Sequence, residues 1–217
     1  MTRPLALAGA LATIALVLLP PLGTMAEQLF SAHMVQHLLL IVVAAPLLVL
    51  SRTLNGEDMP LLRLLFIPVT AWLLFVGTFL FWHWPVAFQW AAGNQAGKLF
   101  EHGTILCSAF IFWSVALSQN SRLSYGARAL FVMTAAVATD LPGVIMVFAP
   151  QALCTMPNEN SFRWGLTPLE DQQIAGLLMW VPANLAFFSF ATWLFARWIS
   201  GDSAPAGSSS HSRLVIT

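Results

Sequence analysis

Residues 31–50, SAHMVQHLLLIVVAAPLLVL, decide the fold class, because this run contains no Lys, Arg, Asp or Glu. An α-helix rises about 1.5 Å per residue, so such a run reaches about 30 Å, the thickness of the hydrocarbon core of a bilayer. The run therefore predicts a transmembrane helix. His33 and His37 lie near its beginning. Ionisable groups inside a membrane are costly and usually functional, so these two histidines indicate a site.

The rest of the chain has the same character. Of its 217 residues, 58% are hydrophobic and 8% are charged, whereas soluble domains carry about a quarter charged residues. We predict an all-α, polytopic membrane helix bundle that forms one domain over residues 1–200, followed by a disordered cytoplasmic tail at 201–217. Six stretches are long and apolar enough to be its transmembrane helices, approximately 4–22, 29–50, 64–83, 99–118, 129–150 and 171–196.

Basic residues predict the orientation, because cytoplasmic loops carry an excess of Lys and Arg. If the six spans alternate, seven of the nine Lys and Arg lie on one side, and only Lys98 and Arg163 lie on the other. Both termini are therefore predicted to be cytoplasmic. A competing interpretation of residues 1–26 is a signal peptide that is cleaved after Ala26. The formal net charge of zero gives no reason to expect a nucleic-acid partner.

Four of the five histidines lie toward the predicted outer face of the membrane. His33 and His37 are four residues apart, so they share one face of their helix and could bind one metal ion. Imidazole suits Zn, Cu, Fe and Ni. His102 lies at a comparable depth on another helix and is the third predicted ligand. The alternative is that each histidine only forms a hydrogen bond that stabilises helix packing.

His83 is a weaker ligand candidate. It ends the third predicted span between Trp82 and Trp84, a pattern typical of an interfacial aromatic belt.

Thioether sulfurs are further candidates, since soft donors suit Cu(I). Met34 and Met179 are weaker predicted ligands in the outer halves of their spans. Cys154 and Met156, in the loop before the last span, could form a transient docking site. Methionine is common in membrane helices, so packing is the alternative for each.

Three polar residues could orient the histidines without binding the metal. Glu101 points about 100° away from His102 around their helix. It could orient a ligand, accept a proton or face the aqueous interface. Asp171 and Gln172 could accept a hydrogen bond from a ligand imidazole. The alternative for Asp171 is a favourable interaction with the helix dipole, because it lies in a first turn.

Two further features concern the last two spans. Residues 167–172, TPLEDQ, predict the start of the last helix, with Thr167 as N-cap and Glu170 completing a capping box. Asp140 lies near the middle of the fifth span with no Lys or Arg at matching depth. It is predicted to be protonated or to bond the backbone near Pro142.

Three strings of the sequence carry a family resemblance. They are FSAHMVQHLLLIVVAAPLLVLS at 30–51, FEHGTILCSAFIFWSVAL at 100–117 and WGLTPLEDQQIAGLLMWVP at 164–182. In order and spacing they resemble the CtaG family of cytochrome c oxidase assembly proteins, over roughly residues 5–200. The loop CTMPNENSF at 154–162 departs from the tyrosine-containing loop expected in that family.

The resemblance implies a non-catalytic role in maturing a haem–copper oxidase in a bacterial plasma (inner) membrane, by handling copper. The implied partners are cytochrome c oxidase subunits and a soluble periplasmic copper carrier. The resemblance supports seven residues as motif positions without saying which of them bind metal: His33, His37, Glu101, His102, Asp171, Gln172 and Met179.

Two other functions stay open at this point, besides that of a purely structural oxidase partner. His37 and His102 could hold haem b between helices in an electron-transfer or sensor protein. Alternatively, three histidines could hold zinc in an intramembrane hydrolase with Glu101 as the base. The chain contains neither C-x-x-C-H nor H-E-x-x-H.

Overall fold

The computed structural model describes residues 2–51, 64–118 and 123–201. Outside these residues lie the tail from 202 to 217 with His211, and the basic residues Arg52, Arg63, Arg122 and Arg213. Every regular element of the described residues is a helix. The elements are α1 (Arg3–Leu18), α2 (Leu22–Met25), α3 (Phe30–Leu39), a π-helical turn (Leu40–Ala44), α4 (Ala45–Ser51), α5 (Pro68–Trp82), α6 (Pro85–Ala92), α7 (Gln95–Leu117), α8 (Tyr125–Phe148), a 3-10 turn (Ser161–Trp164) and α9 (Pro168–Ile199).

The all-α, multi-pass membrane class is confirmed. Within the described parts of the chain, four helical segments are long and apolar enough to cross a bilayer: Phe30–Ser51, Gln95–Leu117, Tyr125–Phe148 and Pro168–Ile199. The pair α5 and α6 could form a fifth crossing, although it is bent by 75°. Helix α1 has 16 residues, which at about 1.5 Å per residue is shorter than a bilayer core of about 30 Å. A sixth span and the cytoplasmic termini therefore stay predictions.

The bend between α5 and α6 has a local cause. Pro85 disfavours helical geometry at the residue before it, and Trp84 accordingly has extended backbone angles. Helix α5 ends at Trp82, and His83 becomes its C-cap. The bend thus places His83 at a helix end inside the bundle.

Helices α3 and α4 form one continuous segment through the π-helical turn. Pro46, just beyond the turn, has no backbone N–H to donate to a carbonyl one turn earlier. The indole N–H of Trp113 donates instead to the carbonyl oxygen of Ile41, at 2.8 Å. This bond joins the segment to α7, the helix that carries His102.

Helices α8 and α9 form an antiparallel pair in close contact. Gly143 and Gly176 allow this approach, because a Cβ on Gly176 would lie 2.7 Å from the carbonyl oxygen of Gly143. Helix α9 also packs against α3, α5 packs against α7, and α1 packs against α4. The first turn of α9 therefore lies beside the helix that carries His33 and His37.

The predicted start of α9 is confirmed. The hydroxyl of Thr167 accepts the backbone N–H of Glu170 at 3.3 Å, and a carboxylate oxygen of Glu170 accepts the backbone N–H of Thr167 at 2.7 Å. The two bonds form a complete capping box.

We expect Thr167→Ala to lower the free energy of unfolding by about 1 kcal/mol, because an N–H of the first turn loses its acceptor. A denaturant titration in detergent measures this change. Thr192→Ala, on an exposed face of the same helix, is the control. Equal effects of the two substitutions would contradict a specific role for the cap.

The predicted orientation places the loop at about residues 151–170 outside the cell. Asn158 in this loop is exposed. Asn158→Cys should therefore react with a membrane-impermeant thiol reagent added to intact cells. Reaction only after the reagent gains access to the cytoplasmic side would reject the orientation.

Candidate metal centre

Three histidines from two helices meet in a buried cluster. Helix α3 provides His33 and His37 one turn apart, and α7 provides His102. One ring nitrogen of each lies within 4.8 Å of the others. The exposed fractions of the three side chains are 0%, 2% and 5%. Two donors that share an ion at about 2.1 Å lie at most about 4.2 Å apart. Small side-chain rotations therefore suffice to bind one ion.

Glu101 lies inside this cluster. Its side chain is fully buried, with carboxylate oxygens 3.3 Å from Nε2 of His33 and 3.4 Å from Nε2 of His37. Donors around a tetrahedral ion at about 2.0–2.1 Å lie about 3.3–3.4 Å apart, so these separations suit a shared ion. The interpretation that Glu101 faces the aqueous interface is wrong, because the flexible glutamate side chain reaches around α7 toward α3.

A backbone carbonyl determines which nitrogen of His102 carries the proton. Nδ1 of His102 lies 2.8 Å from the carbonyl oxygen of Lys98. A carbonyl can only accept, so Nδ1 carries the proton. In the neutral ring, Nε2 therefore has a free lone pair. Metal-binding imidazoles commonly use this arrangement, with one N–H bonded to a carbonyl and the other nitrogen free.

Several buried atoms in the cluster and beside it have no hydrogen-bond partner among the described residues. They are His33 Nδ1, His37 Nδ1, His37 Nε2, His83 Nε2 and Glu101 Oε2. The contact between His37 and Glu101 has the distance of an ion pair but not the geometry of a hydrogen bond. Buried polar atoms in proteins are nearly always partnered. A bound cation would satisfy the acceptors in this group, so the donor set fits a metal ion.

Asp171 holds the start of the histidine helix. Its carboxylate accepts the backbone N–H of Phe30 at 2.6 Å and of Ser31 at 3.1 Å, and it also accepts the hydroxyl of Ser31. The first N–H groups of a helix lack intrahelical partners, and the N-cap residue of α3, Leu29, has no side-chain acceptor. The prediction that Asp171 bonds an imidazole is wrong. From its position on α9, Asp171 caps the N-terminus of α3. The capped residue Ser31 lies two residues before His33.

Gln172 likewise bonds backbone rather than an imidazole. Its side-chain oxygen accepts the N–H groups of Leu153 and Cys154, and its amide donates to the carbonyl oxygen of Met146 at 3.1 Å. Gln172 therefore fastens the loop after α8 to the start of α9.

Residues 1–201 match the family described as cytochrome c oxidase caa3 assembly factor. The chain belongs to this family. The comparison with curated proteins and the comparison with solved structures give no match. Membership of the CtaG family makes the protein an assembly factor for cytochrome c oxidase. It also implies an interaction with that enzyme.

The strings that carry the family resemblance lie on α3, α7 and around the start of α9. These helices supply the three histidines, Glu101 and the Asp171 cap. The CtaG motifs thus converge on one centre, although they are distant along the chain.

His83 lies beside this centre. It is 7% exposed, its ring centroid lies 5.5 Å from that of His37, and its Nδ1 donates to the carbonyl oxygen of Phe79 at 2.6 Å. The interpretation as an interfacial belt residue is therefore wrong for His83, although Trp84 is exposed. His83 lies outside the group of three nitrogens.

The sulfur candidates are buried in the main apolar core. Met34, Met179 and Met156 all belong to it, and their role as ligands stays a prediction. Cys154 is 2% exposed, and burial raises the pKa of its thiol to about 11. A buried, protonated thiol is a poor metal ligand, so the structure argues against surface docking at Cys154.

Asp140 has a partner that its position in the sequence does not reveal. The side-chain amide of Asn184, on α9, donates to its carboxylate at 2.7 Å. The partner is an amide on the neighbouring helix, not the backbone near Pro142.

We expect Asp171→Ala to lower the free energy of unfolding by about 3 kcal/mol. Buried N–H groups at the start of α3 lose their acceptor, and each unsatisfied donor costs about 1–3 kcal/mol. Asp171→Asn keeps one oxygen acceptor and should retain part of the stability. Denaturant titration in detergent measures both. Equal stability of Asp171→Ala and the wild type would show that the cap contributes nothing.

Proposed function

We propose that this CtaG family member holds a copper ion at His33, His37 and His102 and delivers it during assembly of cytochrome c oxidase. The observation that carries the proposal is the convergence of three imidazoles with Glu101 in a buried cluster. This role is non-catalytic, since the ion is cargo. Copper is chosen because imidazole nitrogens suit it and because the family serves a haem–copper enzyme.

Each described residue of the centre has a defined part. The three histidines supply nitrogen donors, and the Glu101 carboxylate supplies an oxygen donor and offsets positive charge. Asp171 positions the helix that carries two of the nitrogens. A cation held in a buried site is stable only when such groups compensate its charge.

The predicted orientation places the centre toward the outer face of a bacterial plasma (inner) membrane. A soluble periplasmic copper carrier could then supply the ion, and oxidase subunits in the same bilayer could receive it. This direction of transfer rests on the basic-residue pattern, and the Asn158→Cys experiment tests it independently.

The ring contacts favour a single ion over haem b. The ring centroids of His33 and His37 lie 4.5 Å apart, and those of His37 and His102 lie 5.2 Å apart, each pair edge to face. With Glu101 among them, the imidazoles pack against one another, whereas a haem requires its two axial ligands on opposite faces of a flat ring.

Elemental analysis and an absorption spectrum of protein purified after loading with copper test the proposal. We expect one copper per chain and no Soret band. A Soret band would indicate haem, and stoichiometric zinc together with hydrolase activity would indicate the intramembrane hydrolase. In cells that lack the protein, the oxidase should lose activity and copper while it retains haem.

A further inference from the structure

A partly open cleft leads to the buried centre. It has a volume of about 220 Å³ and lies among the end of α1, helix α2 and the start of α7. Glu27, Gln95 and Leu99 line its exposed part, beside the half-buried Lys98. Its inner wall includes Gln36 and His102, which are 1% and 5% exposed. Of the three histidines, only His102 lines the cleft.

Gln36 occupies the position between the cleft and the centre. Its side-chain amide donates to the carbonyl oxygen of Val17 at 2.5 Å, which is one of the unpaired carbonyls at the end of α1. Since that carbonyl can only accept, the amide orientation of Gln36 is determined. Its side-chain oxygen then faces Nε2 of His102 at 3.2 Å.

Two acceptors therefore face each other at this point. The proton on Nδ1 of His102 is bonded to the carbonyl of Lys98, so Nε2 of the neutral ring presents a lone pair to the oxygen of Gln36. Such a contact is favourable only with a cation, either a second proton on the imidazole or a metal ion. Neighbouring donors that share an ion at about 2.1 Å lie about 3.0–3.4 Å apart, depending on the angle at the ion, so the observed 3.2 Å suits a shared metal ion.

We propose that copper reaches the histidine centre through this cleft, and that the side-chain oxygen of Gln36 binds the ion in transit and passes it to Nε2 of His102. The inference rests on the proposed function. The step is a ligand exchange without a change of oxidation state. One copper–oxygen bond breaks and one copper–nitrogen bond forms, and the proton of His102 stays on Nδ1.

Two adjacent residues give a matched test of the route. Leu99 lines the cleft, whereas Phe100 faces the rings of Trp82 and Trp90. Leu99→Cys and Phe100→Cys are made in a Cys107→Ala background, which removes the exposed cysteine, while Cys154 is buried. Each purified variant is modified with a bulky maleimide. Uptake of Cu(I), added as its weak acetonitrile complex without oxygen, is then timed by trapping unbound copper with a coloured chelator.

We expect the adduct at position 99 to slow copper uptake about tenfold or more, and the adduct at position 100 to leave the rate within about twofold of the unmodified protein. If the two adducts give equal uptake rates while the unmodified wild type still binds one copper per chain, the route through the cleft is overturned and the proposed function stands. Failure of the unmodified wild type to bind copper would overturn the proposed function and this inference together.

Gln36→Leu tests the transit ligand, because it removes the oxygen while it keeps a buried side chain of similar size. Gln173→Leu is the control, since Gln173 is half-buried and its amide likewise donates to a carbonyl on a neighbouring helix, that of Val147. We expect Gln36→Leu to slow uptake and release about tenfold each, with one copper still bound at equilibrium. Unchanged rates, or weaker binding at an unchanged uptake rate, would overturn the transit role.

Discussion

His37→Ala should abolish stoichiometric copper binding, because the remaining nitrogens of His33 and His102 come from different helices and no longer enclose an ion. His37 is 2% exposed and lies against His33, His102 and Glu101. The measurement is copper per chain after gel filtration. In cells, oxidase activity should fall while haem insertion persists.

The other histidines provide the controls for this result. His211→Ala should leave copper binding intact, and His83→Ala should have an intermediate effect or none, since His83 lies outside the three-nitrogen group. A circular dichroism spectrum like that of the wild type excludes loss of the fold. One copper per chain in a folded His37→Ala variant would refute the site.

Glu101→Gln should weaken copper binding by about tenfold or more, because a neutral amide oxygen replaces a charged carboxylate oxygen beside the ion. The substitution keeps the shape of the side chain but removes the negative charge 3.3 Å from His33 and 3.4 Å from His37. Competition with a Cu(I) chelator measures the affinity. The charge matters here because the site is buried and water cannot screen it.

Glu170→Gln is the control for Glu101→Gln. Glu170 is exposed and belongs to the capping box of α9, so this substitution should change stability slightly and copper affinity not at all. If Glu101→Gln binds copper as tightly as the wild type, the carboxylate has no part in holding the ion.

Local patterns in the sequence were sufficient for much of the fold. Apolar runs predicted helices that could cross a membrane, and TPLEDQ predicted the start of α9 correctly, because hydropathy and capping depend on neighbouring residues. The first span was less well predicted, since composition does not show that the helix ends at Leu18. The bend after Trp82 was also missed, although Pro85 was a visible signal for it.

The roles of the polar residues depended on contacts between distant parts of the chain. The sequence spacing predicted that His33 and His37 share a face, but it placed Glu101 away from His102. It also left Asp171 between two roles, an imidazole partner and a charge that interacts with the dipole of its own helix. No role was predicted for Gln36, because nothing in its local sequence shows that its side-chain amide would donate to the carbonyl oxygen of Val17. A signal was nevertheless available, since a glutamine one residue before His37 in an apolar helix also needs partners.

The sequence by itself determined that the chain is a helical membrane protein, which family it belongs to, and that two histidines lie one turn apart on one helix. These properties follow from hydropathy, motif strings and helical period, which are local. Only the tertiary structure decided that Glu101 lies among the histidines, that Asp171 caps their helix and that Gln36 faces His102. The physical reason is that hydrogen bonds and ion pairs depend on how separate helices pack, and distances along the chain do not determine that packing.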